Sequence, residues 1–299
     1  MVDMRDTART GTLTRLGALA AVDAAIFAVL YVATVRTVDG RQIGDASLRG
    51  ALATSPAVRG TVDAVLNVVS TASLLGAVAL VAVIALLRLA RYQGLAAVGI
   101  LVAANVSALV LKNYLLPRPD LGLDEVAPAT LNSLPSGHST AAFSAVAALL
   151  FVLPRQWRPW AAVAGAAYAT VTGLATMSAG WHRAADSMAA FLLVGFWTTV
   201  AAMIVVVGPA DGRRMTSGAG ASPIRWLVAT AAGCLTLGTA VVLLLVAASP
   251  VRESTVGTWV AFFTAALFIT GTAIGVLIGI LRALDLMDGS GGEPALPEG

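Results

Sequence analysis

The stretch GWHRAADSMAAFLLVGFWTTVAAMIVVV, residues 180–207, decides the fold. From Ser187 to Val207 it holds no Asp, Glu, Lys or Arg, and about 20 apolar residues are what an α-helix needs to cross the hydrocarbon core of a bilayer. Its apolar residues do not alternate with polar ones as barrel strands require, so the expected form is a helix that satisfies its own backbone groups. The ionisable residues His182, Arg183 and Asp186 gather at the start of the run.

The pattern recurs along the chain. Eight segments are long enough to span, at 14–36, 61–88, 93–116, 138–154, 158–179, 182–207, 225–248 and 256–284. Hydrophobic residues make up 58% of the chain and charged residues 12%, with a mean hydropathy of +0.85, whereas a soluble domain carries roughly 25% charged residues. The expected fold is all-α, a polytopic transmembrane helical bundle of about eight spans. The net charge of +3 comes from arginines scattered between apolar runs, and without a basic stripe it excludes nucleic acid as a partner. Cys234 is the single cysteine, so an intrachain disulfide and a thiolate metal cluster are both excluded. The Arg-bearing start leads into a mostly apolar run from Leu16 to Val35, too long for a signal-peptide core and read as a retained first span.

Helices that alternate in direction place the loops after the third and fifth spans on one face, and those loops hold both histidines. With the N-terminus cytoplasmic, eleven Lys and Arg residues fall on the cytoplasmic side and eight on the other. Three of those eight, Lys112, Arg118 and Arg183, have a chemical use, so both termini are expected in the cytoplasm and the histidine loops outside. Thr37 to Gly60 reads as a polar loop folded over that outer face. The tail from residue 286 to 299 is rich in Gly, Pro and acid and is expected to be disordered.

The two loops read LKNYLLPRPD (111–120), continuing to LNSLPSGHST (131–140), and ATMSAGWHRAADSM (175–188). Lys112 and Arg118 supply cations, and the guanidinium fork suits phosphate oxygens. Ser136 and Gly137 stand where a helix begins, so their backbone N–H groups and the helix dipole attract an anion; Ser136 also fits as the helix cap. His182 and Asp186 are spaced i, i+4 and can touch on one helix face. A carboxylate on one ring nitrogen leaves the other free to act as nucleophile or base, and His138 is placed to donate a proton to a leaving oxygen. This set points to phosphoryl transfer without a metal or other cofactor. Asp120, Asp124 and Glu125 lie in the same loop, turned to solvent or tying down arginines. Asp23 is a lone acid within the first span.

These three clusters resemble the three motifs of the type-2 phosphatidic acid phosphatase superfamily, which includes bacterial membrane lipid phosphatases. The resemblance covers residues 60–205, and Pro135-Ser136-Gly137-His138 matches completely. It implies a six-helix phosphatase core within residues 1–208, motifs between 112 and 186, and two additional helices in 209–285. It implies His182 as the nucleophile that forms a phosphohistidine, Asp186 as its orienting group and His138 as the acid. Lys112, Arg118, Ser136 and Gly137 would hold the phosphate. The implied substrate is a lipid phosphomonoester or diphosphate, such as a polyprenyl diphosphate, phosphatidic acid or phosphatidylglycerol phosphate. The implied place is the bacterial plasma membrane among its lipids, with the site on the extracytoplasmic face. The same residues also suit a phosphotransferase, or a lipid-binding or transport protein without turnover. The chain departs from the family pattern twice: five residues rather than six separate Lys112 from Arg118, and Ala175-Thr176 stands where Ser-Arg is usual. Arg183 is the candidate to supply the missing charge.

Overall fold

The computed structural model describes residues 4–68, 71–87, 91–126, 132–208 and 223–289. Ten α-helices and one π turn cover most of them, with no strand among the described residues: α1 (Met4–Val35), α2 (Val38–Val68), α3 (Thr71–Leu87), α4 (Arg91–Val110) running into the π turn Leu111–Leu115, α5 (Gly137–Val152), α6 (Arg158–Ser178), α7 (Ala184–Val207), α8 (Ile224–Ala247), α9 (Ser249–Glu253) and α10 (Thr255–Gly289). Among the described residues six helices, α1, α4, α6, α7, α8 and α10, are long and apolar enough to cross a membrane, and α3 and α5 contain shorter apolar helices. Together they are the eight expected spans. The exposed apolar side chains of α1 and α8, such as Val29, Val32, Leu243 and Leu244, suit a hydrocarbon surround.

α7 packs against α1, α4, α5 and α10. Inside a bilayer, packing and interhelical hydrogen bonds hold helices together, and small residues let the backbones approach. The interior accordingly buries Ala104, Ala147, Ala148, Ala189, Ala190 and Ala202, with Phe143 and Phe191 filling the space between α5 and α7 at a ring separation of 4.7 Å. Three side-chain hydrogen bonds link α4, α5 and α7 pairwise: Asn105 to Ser144 (3.1 Å), Trp197 to Ser107 (3.0 Å) and Ser139 with Ser187 (2.9 Å). Such bonds contribute roughly 0.6 kcal/mol each, and these three fix the helices that carry Lys112, His138 and Asp186. At the opposite end of the bundle, Arg155–Asp285 (3.2 Å) and Arg158–Asp288 (2.6 Å) join the start of α6 to the end of α10.

Two expectations need correction. Thr37 to Gly60 is not a loop: from Val38 it is helical, and α2 runs on to Val68, so the second span begins at Thr71 instead of 61. α2 meets its neighbours at their histidine-bearing ends. Gly50 lies on Thr258 and Phe262 near the start of α10, Leu52 on Gly180, and Val62 and Leu66 on Ala175 near the end of α6. It therefore lies across that face as an amphipathic surface helix. Its glycines lower helix propensity, but at Gly50 α10 approaches too closely for a side chain, and at Gly44 the Arg183 side chain lies 3.2 Å from where a Cβ would stand. The second correction concerns the tail: residues 286–289 are helical, because α10 persists to Gly289, and the rest of the expected disordered tail, 290–299, lies outside the described residues.

A Cβ at Gly50 would stand 2.3 Å from the Thr258 carbonyl oxygen and 2.9 Å from Phe262 Cβ. Gly50→Leu should therefore destabilise the protein by about 1–3 kcal/mol through overpacking, read as a lower melting midpoint in detergent. Gly76→Leu enters open space and should leave the midpoint where it is.

Candidate active site

The site is assembled at one end of the bundle from the loop 116–126, the residues before α5 and the turn between α6 and α7. Lys112 occupies the π turn, whose five-residue reach is closed by Leu116 N–H donating to the Leu111 carbonyl at 2.9 Å. π turns occur often at functional sites. Asn132 donates its side-chain amide to the carbonyls of Lys112 (2.9 Å) and Leu116 (2.6 Å), tying the end of α4 to the approach to α5.

Ser136 caps α5. Its Oγ accepts from Ser139 N–H at 3.3 Å, and its carbonyl accepts from Thr140 N–H at 2.9 Å. Its own N–H donates to the Asp186 carbonyl at 2.9 Å, and the residue is fully buried. The Ser136 N–H expected to face an anion is thus already engaged. The first-turn donors that remain outside this cap are the N–H groups of Gly137 and His138, since a helix cannot satisfy its first N–H groups internally.

Gly180, at φ +77°, turns the chain between α6 and α7 in a conformation that favours glycine. The turn delivers Trp181 and His182, whose N–H groups both bond to the Thr176 carbonyl (3.1 and 3.3 Å). His182 precedes α7 instead of lying on its face, yet its Nδ1 is 3.1 Å from Asp186 Oδ2. That oxygen also accepts from Ser133 Oγ (2.6 Å) and Arg183 N–H (3.0 Å). Both His182 and Asp186 are buried. His138 lies beside Trp181, ring centroids 5.3 Å apart. Ser133 was missed by the sequence reading; its place three residues before Ser136 in the same loop was the available signal.

The arginines form a second cluster. Glu125 accepts from Arg118 (2.9 and 2.8 Å) and from Arg41 (2.5 and 3.0 Å), and Arg183 comes within 3.8 Å of it. Arg183 also pairs with Asp45 of α2 at 3.3 Å, and Asp45 accepts from Val126 N–H at 2.9 Å. Arg41 donates in addition to the Pro119 carbonyl. The Arg118 Nε–H is buried with no acceptor among the described residues. Glu125 ties down arginines, one of the two roles expected of it, whereas Arg41 and Asp45 were not picked out by sequence, because their partners lie about 80 or more positions away; the i, i+4 spacing of Arg41 and Asp45 was the only local trace. Asp120 and Asp124 are exposed, and Asp120 caps the N–H of Gly122. Thr176 is fully buried, its hydroxyl bonded to the Gly173 carbonyl.

Burial alone would raise the Glu125 carboxyl, but the hydrogen bonds from Arg41 and Arg118 and the charges of Arg118 and Arg183 outweigh it and hold the group below its ordinary range. A carboxyl lowered by folding lends stability that is complete above its unfolded value, about 4.3, and is lost as pH falls through the lower folded value. The melting midpoint should thus fall more steeply below about pH 4.3 in the wild type than in Glu125→Gln; parallel curves would disconnect Glu125 from acid stability.

No curated protein and no solved structure matches the chain. Residues 93–208, which run from the start of α4 to the end of α7 and contain both histidines, match the family model of the PAP2 superfamily, whose members are in general phosphatases. The motif residues thus lie at one end of a helical segment, residues 93–208, that is similar to the PAP2 superfamily.

Proposed function

We propose that the protein is a metal-independent lipid phosphatase that works through a phosphohistidine on His182. The observation that carries this reading is the Asp186 carboxylate oxygen 3.1 Å from His182 Nδ1, itself fixed by Ser133 and Arg183. A carboxylate that accepts the Nδ1 proton sets the tautomer, raises the basicity of the ring and leaves the Nε2 lone pair for phosphorus. Nε2 attacks, the bond from phosphorus to the leaving oxygen breaks, and protonated His138 gives that oxygen its proton. Neutral His138 then takes a proton from water, which displaces His182 and yields inorganic phosphate. Lys112, Arg118, Arg183 and the N–H groups of Gly137 and His138 hold the phosphoryl oxygens, with Ser136 fixing the turn beneath them. Preorganised donors of this kind supply most of the work in phosphoryl transfer.

Arg41 belongs to the same wall. It shares a carboxylate with Arg118 and Arg183, and α2 brings it from outside the family-matched segment. Glu125 stands where an anionic oxygen would be welcome between the guanidinium groups. In this reading Arg41 and Arg183 provide the positive charge that Thr176 does not. The substrate is a lipid phosphomonoester or diphosphate, a polyprenyl diphosphate first, approached from the extracytoplasmic leaflet.

Rapid quenching of turnover with a lipid labelled on its terminal phosphate should trap an acid-labile, base-stable phosphoprotein in the wild type and none in His182→Ala. His138→Ala should lower turnover roughly 10²- to 10⁴-fold, the scale of general acid catalysis. Equal phosphate release by wild type and His182→Ala would sink the mechanism, and label passing to an added lipid acceptor in place of water would make the protein a phosphotransferase.

A charge-assisted contact is worth roughly 1.5–3 kcal/mol, so Arg41→Ala and Arg183→Ala should each lower kcat/KM about 10- to 150-fold and weaken inhibition by orthovanadate in parallel. Arg36→Ala, at an exposed site on the end of α1, serves as control. Unchanged kinetics in Arg41→Ala would remove α2 from the site.

A further inference from the structure

A groove of about 410 Å³ lies beside the arginine cluster, within the size range of single-ligand pockets, about 300–1,000 Å³. One wall is the end of α1 (Leu30, Ala33), the other is α8 (Val242, Val246), and α10 forms the floor with Ala265 and Phe268. The upper end is closed by Arg118, Arg183 and Asp186. The two ends are chemically opposite: guanidinium groups above, almost pure hydrocarbon below. Ala261 to Phe268 also line it along α10, which at 1.5 Å per residue is a depth of about 10 Å. Next to these walls, Val29 and Val32 on α1 and Leu243 and Leu244 on α8 are exposed, so the groove opens into the apolar band of the bundle.

We infer that this groove is the seat of one hydrocarbon chain of a lipid whose phosphate rests on Arg118 and Arg183, and that α8 and α10 are present to build it. The inference rests on the phosphatase reading only for the identity of the headgroup site. Charge complementarity selects the occupant. Arg118 and Arg183 belong to a cluster of three guanidinium groups set on two carboxylates, an excess of cation that an anionic headgroup meets and a neutral lipid does not, and a free phosphate would leave the apolar walls without a partner. α8 and α10 lie wholly outside residues 93–208, so the chain-reading surface is a feature of this protein's appended helices. Small side chains at Ala33, Ala261 and Ala265 leave the room, and a larger residue there would fill it.

The test uses the full chain in lipid nanodiscs with a trace of phosphatidic acid carrying a diazirine in its acyl chain. Irradiation and peptide mapping should place the adducts on Val242, Val246 and Phe268, in the wild type and equally in His182→Ala, which needs no turnover. A diacylglycerol probe with the same chain should label the exposed faces of α1 and α8 without that preference. Ala265→Trp, with Val242→Trp as a second variant, should abolish the groove adducts. The same variants should lower the ratio of kcat/KM for long-chain over short-chain phosphate esters at least tenfold. Groove adducts without phosphate release from any lipid would keep the groove and remove the phosphatase reading. Adducts spread alike for both probes, with an unaltered chain-length ratio in both variants, would overturn the groove and leave the phosphatase reading standing.

Discussion

The site depends on one oxygen. Asp186 Oδ2 takes hydrogen bonds from His182, Ser133 and the backbone of Arg183, and the carbonyl of the same residue takes the N–H of Ser136. Through Asp186 the start of α7, the turn before it and the cap of α5 are fastened to one another. A buried carboxylate is tolerable only when its lone pairs are satisfied, and each donor that satisfies it is a piece of the histidine constellation. Local stability and site geometry are therefore the same set of bonds, which is why the three serine-linked contacts among α4, α5 and α7 matter to chemistry as well as to packing.

Charge is arranged in a second shell of the same logic. Arg41, Arg118 and Arg183 gather on Glu125, with Asp45 bonded to Arg183. Three buried guanidinium groups would repel one another in a medium of low dielectric constant, and two carboxylates bring the sum close to neutral. The cluster is rich in cation all the same, and it borders both the histidine loops and the apolar groove. A lipid phosphate has this pair of needs, an anion site and a hydrocarbon site meeting at one point.

The spans were legible because a membrane leaves a chain few choices: a charge-free run such as 187–207 must be a helix, and alternation then brings the two histidine loops to one face. Lys112, His138, His182 and Asp186 could be found because they sit in short local patterns. α2 was not legible, since its polar residues and glycines suggest a loop, and what makes it helical is tertiary: glycine at each close approach and apolar residues against α6 and α10. Arg41 with Glu125, and Asp45 with Arg183, were hidden for the same reason. A pairing between residues 84 or 138 positions apart leaves no period in the sequence. The engaged N–H of Ser136 was equally invisible, because its acceptor is a backbone carbonyl on another helix.

The unusual threonine at position 176 is intelligible in these terms. Its side chain lies fully buried in the last turns of α6, where the hydroxyl bonds to a backbone carbonyl three residues back. An arginine placed within a spanning helix costs roughly 2.5–3.5 kcal/mol unless it reaches a partner or water. Threonine avoids that cost, while the backbone carbonyl of the position, independent of its side chain, holds the N–H groups of Trp181 and His182 and shapes the turn that presents the histidine. Positive charge reaches the same face by a different route, on α2, a surface helix whose arginine meets Glu125 at the edge of the bundle. In the proposed site a motif position and the chemistry it supplies are separable: the charge would come from an element outside the family-matched segment, one that Gly50 seats directly on Thr258 and Phe262 of α10.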